Sequence, residues 1–199
     1  MEKLKLHLLD TNKIDITSLI GSSYIKEEQI SSFLKYKNER ARNEKIASTY
    51  LKNKYIGSYS VDEHGKPISK DKYFNVSHSD GLVCLIIDEH HPIGMDIEKV
   101  KQIKDDFVKY VTSKEEQQFI KEDKDFYYIW TNKESLLKAY GSGIEKDLKE
   151  IPSLPLNSSR FYRGFSYKSL SICIDEYVIS VTRNSLEDFD IEIIKEEIE

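Results

Sequence analysis

The chain has 199 residues, a formal net charge of −5, 39% hydrophobic and 33% charged residues, and only 8 glycines and 4 prolines. This balance excludes a disordered or fibrous chain. It also excludes a protein that grips nucleic acid or a membrane through a basic surface, since affinity for polyphosphates grows with the number of cations presented; any anion site must be a local patch.

Met1 to Asp10 (MEKLKLHLLD) alternates Leu4, Leu6 and Leu8 with Lys5 and His7, which predicts a strand and not the continuous apolar run of a signal peptide. No stretch approaches the apolar length of a membrane span, so no membrane contact is expected. Cys84 and Cys173 lie in separate apolar runs and read as reduced core thiols, which makes the cytoplasm the expected compartment.

Lys26 to Ile56 reads as helical, with Ile30, Phe33 and Leu34 on an early stripe and Ala47, Tyr50 and Leu51 on a later one. Between the stripes Lys35, Lys37, Arg40, Arg42 and Lys45 outnumber Glu39 and Glu44 on a chain of negative overall sign. A solvated face laced with ion pairs explains this, and so does an anion patch. His64-Gly65-Lys66-Pro67 predicts a turn. Phe74 to Ser79 then leads through Asp80-Gly81 into Leu82 to Ile87, a buried strand by length and β-branched content. Glu89-His90-His91-Pro92 turns the chain into Ile93 to Val100, and the two runs are expected to form a hairpin.

Ser113-Lys114-Glu115-Glu116 has the capping-box form, which starts a helix. A second helix is predicted from Asp125, stopping at Gly141-Ser142-Gly143, with Phe126, Ile129, Trp130, Leu137 and Tyr140 as its apolar stripe. Strand alternation returns at Leu170 to Ile174 and Tyr177 to Val181, and Phe189 to Ile193 fits an edge strand. The second half thus repeats the order of the first, helix and then hairpin. An α+β protein of two similar halves, 1–104 and 105–199, is the architecture this predicts.

Asp96 and Glu98 are two acids in an otherwise apolar strand. Residues i and i+2 of a strand share a face, roughly 6.6 Å apart at Cα, so the two project together while Met95 and Ile97 point into a core. A solvated strand face and a magnesium site both account for them, and the second requires a further acid. The helix supplies one. At about 100° per residue, Glu134 and Lys138 stack one turn apart beside Trp130, as an ordinary surface pair would too. Lys133 falls on the apolar stripe itself, so either its stem snorkels or its ammonium meets an anion in a polar pocket.

Three motifs, Phe74-Asn75-Val76-Ser77-His78-Ser79, Ile93-Gly94-Met95-Asp96-Ile97-Glu98 and Trp130-Thr131-Asn132-Lys133-Glu134-Ser135 with Lys138, occur in this order. They resemble the signatures of the 4'-phosphopantetheinyl transferases of the surfactin-type branch, and Gly65-Lys66-Pro67 matches a shorter family element. The resemblance implies two halves related by pseudo-two-fold symmetry, each a small antiparallel sheet packed with helices. It implies an enzyme that moves the phosphopantetheine arm of coenzyme A onto a serine of an acyl, peptidyl or aryl carrier protein, releasing adenosine bisphosphate. Asp96, Glu98 and Glu134 are then the magnesium ligands. Glu134 is also the base, directly or through a water, and Lys138 stabilises charge on the leaving side. Ser77 and His78 are implied to bind phosphate oxygens, and Lys66 with Lys35, Arg40 and Arg42 the outer phosphates. The expected partners are coenzyme A and a carrier protein, with no nucleic acid, and the enzyme is expected to be a monomer.

Two other readings share these residues. A magnesium-dependent phosphodiesterase or nuclease could use the same acids and lysine, though with more carboxylates for a second metal and a broader basic face. A non-catalytic carrier-binding module would need neither Glu134 nor Lys138.

Overall fold

The computed structural model describes residues 1–62, 67–141, 143 and 147–198. It is α+β, with two compact units, one of Lys3–Glu89 with Ile191–Glu199 and one of Met1–Glu2 with His90–Asp190. The boundary expected between 104 and 105 falls inside the second of these.

In the unit of Lys3–Glu89, strand β1 (Glu2–Asp10) pairs antiparallel with β5 (Leu82–Asp88), which pairs in turn with β4 (Tyr73–Ser79). The C-terminal β10 (Phe189–Lys195) completes a four-stranded sheet in the order β10-β1-β5-β4, an edge strand as its position in the sequence suggested. Asp80 and Gly81 join β4 to β5 with φ of +51° and +92°, the doubly left-handed two-residue turn that Asp-Gly favours because glycine has no Cβ and aspartate tolerates αL. A two-stranded ribbon, β2 (Ser60–Val61) with β3 (Pro67–Ile68), lies between helices and sheet in the chain.

The basic helix is not continuous. A short α1 (Ile16–Ile20) precedes it, and the expected helix over 26–56 divides into α2 (Glu27–Phe33) and α3 (Glu39–Tyr55). Asn38 causes the break: in extended conformation its side chain accepts the Ala41 N–H at 2.9 Å and starts a new helix. Leu19, Phe33, Ile46, Ala47 and Leu51 from the helices then pack on Leu9, Val83 and Leu85 of the sheet. Periodicity alone carried both stripes, but not the cap between them.

In the other unit, β6 (Ile93–Lys99) pairs with β9 (Tyr177–Arg183), β9 with β8 (Phe165–Ile174), and β8 with β7 (Ser159–Tyr162), an antiparallel sheet in the order β6-β9-β8-β7. The hairpin expected of 82–87 with 93–100 therefore does not form. The turn residues 89–92 pass the chain from one sheet to another, and β5 takes β1 and β4 as its neighbours. Helices α4 (Asp105–Val111), α5 (Lys114–Phe119) and α6 (Asp123–Tyr140) follow β6. α5 starts at the capping box, Ser113 Oγ accepting the Glu116 N–H and Glu116 accepting that of Ser113. α6 stops at Gly141, and its Phe126, Leu136 and Leu137 share a core with Val111, Tyr167 and Val178. Cys84 is buried as expected, whereas Cys173 is exposed, because Asp175-Glu176 beside it turns the β8–β9 hairpin into solvent. No helix among the described residues is long and apolar enough to cross a membrane.

Candidate functional site

α6 lies against β6 at one point of very close approach. A Cβ on Gly94 would stand 2.1 Å from the Ser135 carbonyl oxygen and 2.3 Å from the Ala139 nitrogen, so only glycine lets the helix backbone rest on the strand. The sheet under the helix is correspondingly small and polar. Thr182 is the cross-strand neighbour of Gly94 and Ser180 that of Asp96. Thr131 Oγ1 donates to the Tyr127 carbonyl and meets Ser180 Oγ at 2.7 Å, and Ser180 meets Ser171 Oγ at 2.7 Å. Ser135 Oγ meets Thr182 Oγ1 at 2.7 Å, which meets Ser169 Oγ at 2.8 Å. Every hydroxyl in this seam is buried and satisfied, which specifies the register of helix on sheet as an apolar surface would not.

Lys133 fixes the helix from its other side. It is completely buried, and its ammonium donates to Glu116 Oε2 at 2.7 Å and to the carbonyls of Leu148 at 2.8 Å and Val111 at 3.1 Å. Of the two outcomes open for it, the ammonium meeting an anion in a polar pocket is the one observed. Burial pushes its pKa down, and Glu116 works against that shift.

With α6 so placed, Asp96 reaches Lys138. The Lys138 Nζ donates to Asp96 Oδ1 at 2.7 Å, with the Asp96 side chain 8% exposed and that of Lys138 29%. Glu134, one turn before Lys138, is also buried, and among the described residues its Oε1 makes no hydrogen bond. Burial above all, then the charges of Asp96 and Glu98, push its pKa up to about 7, while Lys138 pulls the other way. Glu98 is half-buried and accepts a long hydrogen bond of 3.4 Å from the Trp130 indole N–H. The structure thus brings Asp96, Glu98, Glu134 and Lys138 together.

No group of three or more His, Cys, Asp and Glu among the described residues is drawn tightly enough to hold a metal ion. The donors nonetheless suit a hard dication. All are carboxylate oxygens, their charges repel one another, and a buried oxygen of Glu134 makes no hydrogen bond in the described structure.

The other predicted residues that are described lie in the unit of Lys3–Glu89. Ser77 is buried in β4, and the His78 side chain is 53% exposed, its Nδ1 standing 3.1 Å from Glu44 Oε2. Arg40 pairs with Asp80 in the β4–β5 turn. Arg42 lines a groove of about 400 Å³ with Asp15, Thr17, Glu39 and Asn43, while Lys35 is exposed between α2 and α3. Among the described residues neither forms an ion pair with the groups around His78. Lys66 lies outside the described residues.

Residues 92–192 match the family model of the 4'-phosphopantetheinyl transferase superfamily, about half of the chain and the stretch that carries Asp96, Glu98, Glu134 and Lys138. The chain belongs to that superfamily. It is 38% identical over 122 residues to the 4'-phosphopantetheinyl transferase Sfp of Bacillus subtilis strain 168, covering 57% of this chain and 50% of Sfp. It is 29% identical over 153 residues to the transferase gsp of Aneurinibacillus migulanus, covering 67% of this chain and 63% of gsp. HetI of Nostoc sp. strain PCC 7120, also a 4'-phosphopantetheinyl transferase, is 26% identical over 137 residues. The chain spans about half the length of Sfp and less than two thirds of gsp.

In this family member, sequence reasoning missed Glu44, counted only as a charge against the basic patch, and Asp80, read only as a turn residue. It also missed Ser169, Ser171, Ser180 and Thr182. Their alternation in two strands was visible as a polar face, but nothing local said that a helix covers it.

Proposed function

We propose that this protein transfers the 4'-phosphopantetheine arm of coenzyme A to a serine hydroxyl of an acyl or peptidyl carrier protein, with magnesium, releasing adenosine 3',5'-bisphosphate. The observation that carries the reading is Glu134, a buried carboxylate one turn before Lys138 and in the field of Asp96 and Glu98, on the family-matched stretch. In the ionised form that a bound cation favours, its carboxylate can accept a hydroxyl proton.

Asp96, Glu98 and Glu134 are the residues that would hold the magnesium ion, which supplies neutralisation of charge on the pyrophosphate. The chain's own groups do the rest. Glu134 takes the proton of the carrier serine at its carboxylate as the hydroxyl oxygen attacks phosphorus. Lys138, whose ammonium already sits in a field of carboxylates, offsets the negative charge that builds on the departing phosphate. Ser77 and His78 hold phosphate oxygens, and the cations Lys35, Arg40, Arg42 and Lys66 are assigned to the outer phosphates. The two cysteines fit a reducing compartment, and the reading places the enzyme in the cytoplasm as a monomer.

The test is incubation with coenzyme A, magnesium and an apo-carrier domain, followed by mass spectrometry. Gain of the phosphopantetheine arm on the carrier serine supports transfer. An unchanged carrier together with hydrolysis of a phosphodiester substrate would favour the nuclease reading instead.

A further inference from the structure

Glu44 presents an arrangement that neither the motifs nor the proposed mechanism uses. It lies on α3, five residues into the helix, with its side chain only 8% exposed. Its Oε1 accepts the Gly81 backbone N–H at 2.7 Å, and its Oε2 stands 3.1 Å from Nδ1 of His78. The turn it holds is anchored from a second side, since the Gly81 carbonyl accepts both the backbone N–H of Thr11 at 2.9 Å and its hydroxyl at 2.8 Å. One turn earlier on α3, Arg40 pairs with Asp80 of the same turn, so these two flanking charges offset each other. Glu44 is therefore the charge that faces the inner nitrogen of His78 from α3.

We propose that Glu44 is the positioning residue for His78: it holds a proton on Nδ1, turns Nε2 outward, and supplies the negative charge that lets the ring meet a phosphate as an imidazolium. This rests on the functional reading above, in which His78 binds a phosphate oxygen of coenzyme A. An ionised carboxylate can only accept, so the nitrogen that faces it carries the hydrogen. A ring with its one proton on Nδ1 offers only a lone pair at Nε2, which repels a phosphate oxygen. It becomes a donor there only when both nitrogens are protonated, and a carboxylate on the inner nitrogen is the usual companion of that state. His78, half-exposed at the end of β4, would otherwise rotate freely in solvent. Buried Glu44, locked by the Gly81 amide, is a fixed point for it.

Two measurements test this, using Glu44→Gln, whose amide oxygen still accepts the Gly81 N–H, and His78→Ala. The first is nitrogen NMR of the His78 ring. In the free wild-type protein Nδ1 carries a proton, with coenzyme A bound both nitrogens do, and in Glu44→Gln with coenzyme A only one does. The second is coenzyme A affinity by calorimetry through the double-variant cycle. Glu44→Gln weakens binding by about tenfold in the wild-type background, the loss of one charge-assisted contact, and has no further effect in His78→Ala. An equal loss in both backgrounds, or a bare Nδ1 in the free wild-type protein, overturns the proposal. Should no variant bind coenzyme A at all, the functional reading fails, and the ring signal of the free protein decides the Glu44–His78 contact by itself.

Discussion

The ammonium of Lys138 lies 2.7 Å from Asp96 Oδ1, and it is the one group of the site that works against the raised pKa of Glu134, which burial, Asp96 and Glu98 all favour. Removing either partner should move Glu134 in opposite directions. Lys138→Met drives the Glu134 pKa further above about 7, and Asp96→Asn lets it fall toward the ordinary carboxylate range. Carboxyl-carbon NMR of Glu134 across a pH titration reads both shifts, and shifts of the same sign would mean that the two side chains do not share this field.

Stability should carry the same signature. The folded pKa of Glu134 is raised to about 7 from an ordinary 4.5, so between these values the folded state keeps its proton while the unfolded chain loses its own. Stability then falls as pH rises between those two values and levels off above the folded one, by about 3 kcal/mol if the whole shift is realised. Glu134→Gln removes the titration and should be flat over this window. Melting curves in chelator at pH 5 and pH 8 check it, and parallel behaviour of the two proteins would refute the burial of a titrating carboxylate. Added magnesium should restore wild-type stability at pH 8, since a cation favours the ionised form.

The two roles assigned to Glu134 separate kinetically. Glu134→Gln should lower magnesium affinity, because a neutral amide is a poorer ligand for a hard cation, and should also slow transfer by roughly 10²- to 10⁴-fold with magnesium saturating. Transfer rate against magnesium concentration is the measurement. Full recovery at high magnesium removes the base role, and an unchanged magnesium dependence removes the ligand role.

At Gly94, alanine would press its methyl into the Ser135 carbonyl and the Ala139 nitrogen, atoms of helix backbone that cannot step aside alone. Gly94→Ala should cost about 1–3 kcal/mol by overpacking and should slow transfer beyond that loss, because α6 must lift with Glu134 and Lys138 on it. Urea unfolding, with transfer measured where the variant remains folded, gives both numbers. Wild-type stability and rate would contradict the close approach.

Lys133→Met leaves Glu116 buried without its counter-charge and should destabilise by about 3–5 kcal/mol. Adding Glu116→Gln should recover part of this, since the orphaned charge is gone. Additive losses in the double variant, measured by urea unfolding, would mean that the ion pair is not what holds α6.

Some of this protein is carried by local periodicity, and there the sequence suffices. A two-residue repeat places Asp96 and Glu98 on one strand face, a helical repeat stacks Glu134 below Lys138, and Ser113 with Glu116 marks a helix start, because each depends on residues within one turn or one pleat of each other. The break at Asn38 was local too, but an asparagine in a charged stretch between two apolar stripes signals a cap only weakly. What the tertiary structure decided was pairing. The strand with the two acids joins a partner that ends at Arg183 rather than its neighbour in the chain, and hydrogen-bonding edges of strands carry no sequence mark that distinguishes one partner from another. That choice puts Ser180 and Thr182 beside Asp96 and Gly94, makes a hydroxyl seam for α6 to rest on, and so brings Lys138 to Asp96. Lys133 and Glu44 follow the same rule. Their charges were visible, but whether a charge is solvated, paired or poised depends on what lies across from it, and only the folded chain sets Glu116 against the first and His78 against the second.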